Sequence, residues 1–181
     1  MMKSVEEQLS RYKSVHFNKK NIQTHFIGVP LIIWAITLLL SLSSVDVNVL
    51  GLTFEITPAK VFFTIAILYY FKLHWRIAIG MVLYIIPNIY FAEKVAPVDN
   101  AYLLAIMIFV IGWIIQFIGH YFEKAKPAFI DDLSQFLIGP FFLMAEIYFA
   151  LGWEKKLHND ITPLARDRRR AIEGAKRVVN N

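Results

Sequence analysis

The sequence predicts an all-α fold: a polytopic membrane helical bundle with four spans plus a re-entrant or interfacial helical hairpin. Three observations carry this. Apolar residues make up 57% of the 181-residue chain, above the roughly 45–50% of a soluble domain. They stand in blocks and not at scattered periodic core positions, which is the distribution a bilayer selects. The basic residues behind the net charge of +5 gather at the two ends, as cytoplasmic flanks beside anionic lipid heads do.

The same facts exclude several functions. Basic and aromatic residues are not interleaved in the way that stacks bases, so no nucleic-acid partner is expected. With no cysteine there is no disulfide framework, thiolate nucleophile, iron–sulfur cluster or zinc–thiolate site. Glycine-rich phosphate loops, a serine nucleophile elbow and a zinc-protease helix signature are missing from the sequence.

Taken in order, residues 1–15 carry Val5, Leu9 and Tyr12 at helical spacing among Lys3, Arg11 and Lys13, and read as a short amphipathic helix at the membrane surface. A polar stretch, residues 16–23, precedes the first span at 24–43, whose roughly 20 residues match a hydrocarbon core of about 30 Å. That run is too long for the apolar core of a signal peptide and is expected to stay in the protein. Residues 44–58 read as a loop without Lys or Arg, and Pro58 suits the first turn of the next helix. The second span, 59–71, is short. The third, 77–91, is interrupted by Pro87 and Asn88, and the fourth, 101–119, is the cleanest. A fifth apolar run, 133–152, holds Gly139–Pro140, Gln135 and Glu146. Residues 1–155 are read as one integral-membrane helical domain and 156–181 as a basic cytoplasmic tail.

Basic residues number five in the first 24 positions, none in the loop before Pro58, two in 72–76, one in 92–100, two after the fourth span and eight from Gly152 onward. Positive-inside bias then places both termini in the cytoplasm after four crossings. The fifth run must return to the side it left, either as a hairpin bent at Gly139–Pro140 or as a helix at the cytoplasmic edge. Glu146 inside it is expected to face protein, because an ionisable group facing lipid is costly.

This count brings His16, His25 and His120 to one membrane face beside Glu123. His16 and His25 stand nine residues apart, and their imidazoles reach one centre if the segment turns back before the span. They equally suit an ordinary polar loop. His120 and Glu123, three apart, share a helix face that Gln116 continues inward. The alternative is a helix-dipole role for His120, with Glu123 paired to Lys124 or Lys126. Imidazole and carboxylate donors without thiolate suit Fe(II), Mn(II) or Zn(II). Asn21, Gln116, Glu146 and His74 are the surrounding candidates for second-sphere or substrate contacts, although His74 beside Trp75 also suits an interfacial anchor. The tail arginines read as topogenic and lipid-facing.

Tyr12, His16, Asn21, His25 and Ile27-Gly28-Val29-Pro30, followed by Gly119-His120, Phe122-Glu123, Lys126-Pro127-Ala128, Leu137-Ile138-Gly139-Pro140, Phe142 and Glu146, resemble the membrane 2-hydroxy fatty acid dioxygenase family, which has many bacterial members. The likeness spans about residues 5–155. It implies an enzyme, an iron-dependent dioxygenase of lipid metabolism that uses Fe(2+) and O2 to carry out fatty acid alpha-oxidation, converting a long-chain 2-hydroxy fatty acid to the acid one carbon shorter. It implies His16, His25 and His120 as iron ligands, with Glu123 as a fourth ligand or as the acceptor that orients an imidazole. The expected setting is a bacterial inner membrane with lipid as neighbour, and a homodimer is compatible with so small a bundle. The competing classes are a non-enzymatic lipid-binding or scaffold protein, and a small transporter relaying ions through Glu146 and Asn88.

Overall fold

The computed structural model describes residues 3–130, 132 and 134–179, without the side chains of 129 and 176–179. Leu133, the expected first residue of the fifth run, and residues 180–181 of the expected tail lie outside the described residues. The chain is mainly helical, in the order α1 (Val5–Lys13), α2 (Lys19–Leu40), β1 (Val45–Val49), β2 (Leu52–Ile56), α3 (Pro58–Leu73), α4 (Trp75–Val95), α5 (Ala101–Glu123), α6 (Gln135–Ala150) and α7 (Lys155–Val179). It divides into two compact units, Met1–Phe26 with Phe117–Asn181, and Ile27–Gln116.

In the first unit, Ser4 caps α1 by accepting from the Glu7 amide at 3.2 Å, and acidic Glu6 and Glu7 at its start oppose basic Arg11 and Lys13 at its end. Both arrangements favour the helix dipole. The apolar side of α1 packs on α6 and α7, burying Val5, Leu9 and Tyr12. Asp132 pairs with Lys3, just before α1, at 2.7 Å and with Arg11, in its last turn, at 2.8 Å.

Within the fifth apolar run, Gln135–Ala150 is one helix that continues through Pro140, which removes the hairpin bent at Gly139–Pro140. Proline at its sixth position forfeits one backbone bond, but packing against α1 holds the helix together. Gly139 lies under Tyr12, whose Oη would stand 3.0 Å from a methyl group there, and Glu146 pairs with Lys13 at 2.6 Å. The basic tail is also ordered as helix α7, whose apolar Leu157, Ile161 and Ala165 are buried, and α7 packs on α1.

In the second unit, Pro58 fills the first turn of α3, as the sequence predicts, and Thr57 caps the helix. A single extended residue, His74, links α3 to α4, and the two helices pack together. Leu38, Ala92, Ala101 and Ala105 form a small-residue core. The stretch read as a loop contains a β-hairpin, the departure from an all-helical chain among the described residues.

Among the described residues, three helices are long and apolar enough to cross a membrane: α2, α4 and α5. On α5, Leu103, Ile106, Met107, Val110, Ile111 and Ile114 are all exposed, as a lipid-facing surface requires. The 16 residues of α3 make about 24 Å of helix, short of a typical core of about 30 Å.

Candidate metal centre

Each histidine is fixed by a local backbone feature. His16 follows the last turn of α1, and its Nδ1 meets the Tyr12 carbonyl at 2.6 Å. The Tyr12 ring lies flat against it, centroids 4.1 Å apart and planes 1° from parallel. The helix α2 starts at Lys19, five residues before the expected span, because the Asn18 side chain caps it by accepting from the Lys20 amide at 2.9 Å. That early start puts His25 on the second turn of α2, with Nδ1 on the Asn21 carbonyl at 2.8 Å. The helix α5 runs to Glu123, and Lys124 then takes a left-handed conformation, φ 55°. This reversal brings the Ala125 carbonyl back to His120 Nδ1 at 3.2 Å.

The three imidazoles converge. Ring centroids are 4.5 Å apart for His16–His25, 5.0 Å for His16–His120 and 5.0 Å for His25–His120, with interplanar angles of 80°, 70° and 81°. All three are buried, and their ligand atoms lie within 4.8 Å of one another. His16 Nε2 and His25 Nε2 are 3.0 Å apart.

This donor set fits a cation. A carbonyl oxygen only accepts, so each Nδ1 must carry the proton and each Nε2 must present a lone pair. Two lone pairs facing each other at 3.0 Å repel unless a positive centre lies between them. At a metal–nitrogen distance of about 2.0–2.1 Å, tetrahedral nitrogens stand about 3.4 Å apart, so little adjustment is needed. Burial holds the His16 imidazole well below its ordinary pKa, with His25 and His120 adding to the effect. The ring therefore stays neutral and able to ligate.

Glu123 stands outside this trio. Its Oε2 accepts from the Asn18 amide at 2.7 Å and from Asn21 Nδ2 at 3.2 Å, while Oε1 accepts from Arg169 at 3.1 Å. The carboxylate therefore ties the start of α2 to the end of α5, on the two helices that carry His25 and His120. Arg169, a residue of the distant basic tail, is thus an ion-pair partner of Glu123. That guanidinium also donates to the Glu123 carbonyl at 3.0 Å, capping α5, so Arg169 is packed inward and does not face lipid.

Asn21 is buried and doubly used, its side chain on Glu123 and its carbonyl on His25. Glu146 is occupied by Lys13, whose ammonium lies 5.6 Å from the centre of the Phe142 ring. Phe142 in turn packs on Tyr12 and His16, at centroid distances of 4.9 and 5.9 Å. Gln116, one turn before His120 on α5, belongs to the second unit and is buried with its amide nitrogen unpartnered. His74 also belongs to the second unit, between α3 and α4. Sequence reasoning missed Asn18, Lys13 and Arg169 as contributors. An Asn immediately before a helical run was a usable capping signal for the first, whereas nothing local marks the other two.

Three buried imidazoles, two of them on helices apolar enough to cross a membrane, define a candidate membrane metalloprotein. The chain belongs to the Mpo1-like family, described as 2-hydroxy-palmitic acid dioxygenase Mpo1-like, whose model matches residues 2–151. It is 34% identical over 160 residues to the 2-hydroxy-palmitic acid dioxygenase MPO1 of Saccharomyces cerevisiae, covering 84% of each chain. No solved structure is a significant match. The helix α7 begins at Lys155, beyond the matched segment.

Proposed function

We propose that this protein is a membrane-embedded, Fe(II)-dependent dioxygenase that shortens long-chain 2-hydroxy fatty acids by one carbon, with O2 as the second substrate. The observation that carries this is the convergence of three buried Nε2 lone pairs, in a chain whose family and yeast relative are described as dioxygenases of 2-hydroxy-palmitic acid. Iron supplies the one-electron chemistry with O2 that side chains lack. His16, His25 and His120 would hold it, and nitrogen donors without thiolate suit Fe(II).

The protein's own part is to keep these donors neutral, aligned and dry. Three backbone carbonyls fix the tautomers, Tyr12 and Phe142 wall His16 from water, and Glu123 acts through Asn18 and Asn21 as a positioning residue in place of a fourth ligand. The acyl tail of the substrate is drawn from the bilayer, where each buried methylene contributes about 0.8 kcal/mol. With O2 as sole oxidant, atoms balance when the 2-hydroxy acid and O2 give the shorter acid, CO2 and water.

In this reading α2, α4 and α5 cross the membrane, α3 makes a shorter fourth crossing, and both termini are cytoplasmic in a bacterial inner membrane. Residues 1–155 form the membrane domain, 156–181 lie on its cytoplasmic side, and a homodimer is compatible with this arrangement. The test is a turnover assay on protein purified anaerobically and loaded with Fe(II). Equimolar consumption of 2-hydroxypalmitate and O2 with release of the one-carbon-shorter acid is expected. An iron-loaded protein that leaves 2-hydroxypalmitate untouched overturns the proposal.

A further inference from the structure

The hairpin between α2 and α3 has a face that no described residue covers. Its register pairs Val45 with Ile56, Val47 with Phe54 and Val49 with Leu52, alternating with Asp46–Glu55 and Asn48–Thr53. Because side chains alternate along a strand, the three apolar pairs share one face and the two polar pairs the other. All six apolar side chains are exposed. The two-residue turn adds a seventh: Leu50 and Gly51 have φ of 53° and 81°, and Leu50 is 100% exposed. Such turns favour Asn-Gly, and leucine in the left-handed region is strained. The strained tip thus presents an apolar side chain where a polar residue would be easier to hold.

We propose that this hairpin is an interfacial membrane anchor, lying flat with its apolar face and Leu50 in the acyl boundary and its polar face toward water. The flanking segments are apolar and exposed as well, at Leu39 and Leu42 before the hairpin and at Val61, Phe62 and Ile65 after it. One flank, α2, is long and apolar enough to cross a membrane. The depth is set by the backbone, because a two-stranded hairpin leaves its outer N–H and C=O groups unpaired and these need water. Asp46 directly opposite Glu55 likewise requires hydration to limit repulsion. Lipid is favoured over a second copy by size: seven side chains fall well short of the roughly 20–30 residues a side of a stable protein interface. With no basic residue on either strand, the attachment is apolar and indifferent to anionic lipid.

The chain lacks cysteine, so single substitutions on the full-length protein give clean labelling sites. An environment-sensitive fluorophore is placed by Asp46→Cys, Asn48→Cys, Leu50→Cys, Leu52→Cys and Phe54→Cys, with Val110→Cys on the exposed face of α5 as reference. Phosphatidylcholine vesicles with brominated acyl chains should quench positions 50, 52, 54 and 110 and spare 46 and 48, with the same pattern when phosphatidylglycerol is added. Quenching at 110 with none at 50, 52 and 54 overturns the anchor alone, as does cross-linking between copies at 52 without quenching. Quenching at none of the positions overturns it together with the membrane reading on which it rests.

Discussion

His16 and His25 face each other through Nε2 atoms 3.0 Å apart, while the Nδ1 of each is committed to a backbone carbonyl four residues earlier. Neither ring can relieve the contact by switching tautomer without leaving a carbonyl bond behind. The backbone thereby prepares two lone pairs for a shared cation, and His120 supplies the third.

Tyr12 is the flat support for His16, and burial pushes its phenol pKa well above the ordinary range, so it stays a neutral aromatic wall. Tyr12→Phe should retain iron close to the wild-type level. Tyr12→Ala should lower stability by about 3–5 kcal/mol, the usual cost of deleting a buried ring. It should also weaken iron binding, as read by denaturant unfolding and metal titration side by side.

Arg169 neutralises Glu123, a side chain only 2% exposed. Arg169→Met should cost about 3–5 kcal/mol because it removes the guanidinium that neutralises a buried carboxylate, and iron should be lost more readily to a chelator. Restoration of metal retention by Arg169→Lys would separate charge from fit: a point charge should recover part of the effect, since it lacks the fork that reaches both the carboxylate and the carbonyl.

Gly119 sits where α5 approaches α2. A methyl group there would fall on Thr24 Oγ1 and stand 2.5 Å from Asn21 Oδ1. Gly119→Ala should therefore destabilise by about 1–3 kcal/mol through overpacking and reduce iron occupancy, because Asn21 holds His25. Unchanged thermal midpoint and iron content would show that the helices can separate at no cost.

The Asp132 carboxyl is held well below the usual range, first by Lys3. A carboxylate with a depressed folded pKa contributes stability above its unfolded value of about 3.9, and the contribution fades as pH falls below that. The difference in thermal midpoint between wild type and Asp132→Asn should be full at neutral pH and should narrow in acid. A difference that persists unchanged in acid would assign it to packing.

Much of this was legible in the sequence because the determinants are local or compositional. The runs of α2, α4 and α5 follow from apolar blocks, and His16, His25, His120 and Asn21 stand in recognisable stretches. The hairpin was missed: residues 44–58 read as a loop without Lys or Arg, although Val45, Val47 and Val49 alternate with polar residues as a strand does. What else escaped depends on contacts between distant segments. Arg169 lies 46 residues from Glu123 and looks like any basic tail residue. The carbonyls that orient the imidazoles carry no side-chain signature at all, and α6 passes through Pro140 because α1 packs against it.

The proposed function requires that the three imidazoles share one cation. Iron quantification on anaerobically purified wild type and on His16→Ala, His25→Ala and His120→Ala tests it most directly. Stoichiometric iron in the wild type and loss of both iron and 2-hydroxypalmitate turnover in each variant are expected. A His25→Ala protein that keeps wild-type iron and activity would contradict it.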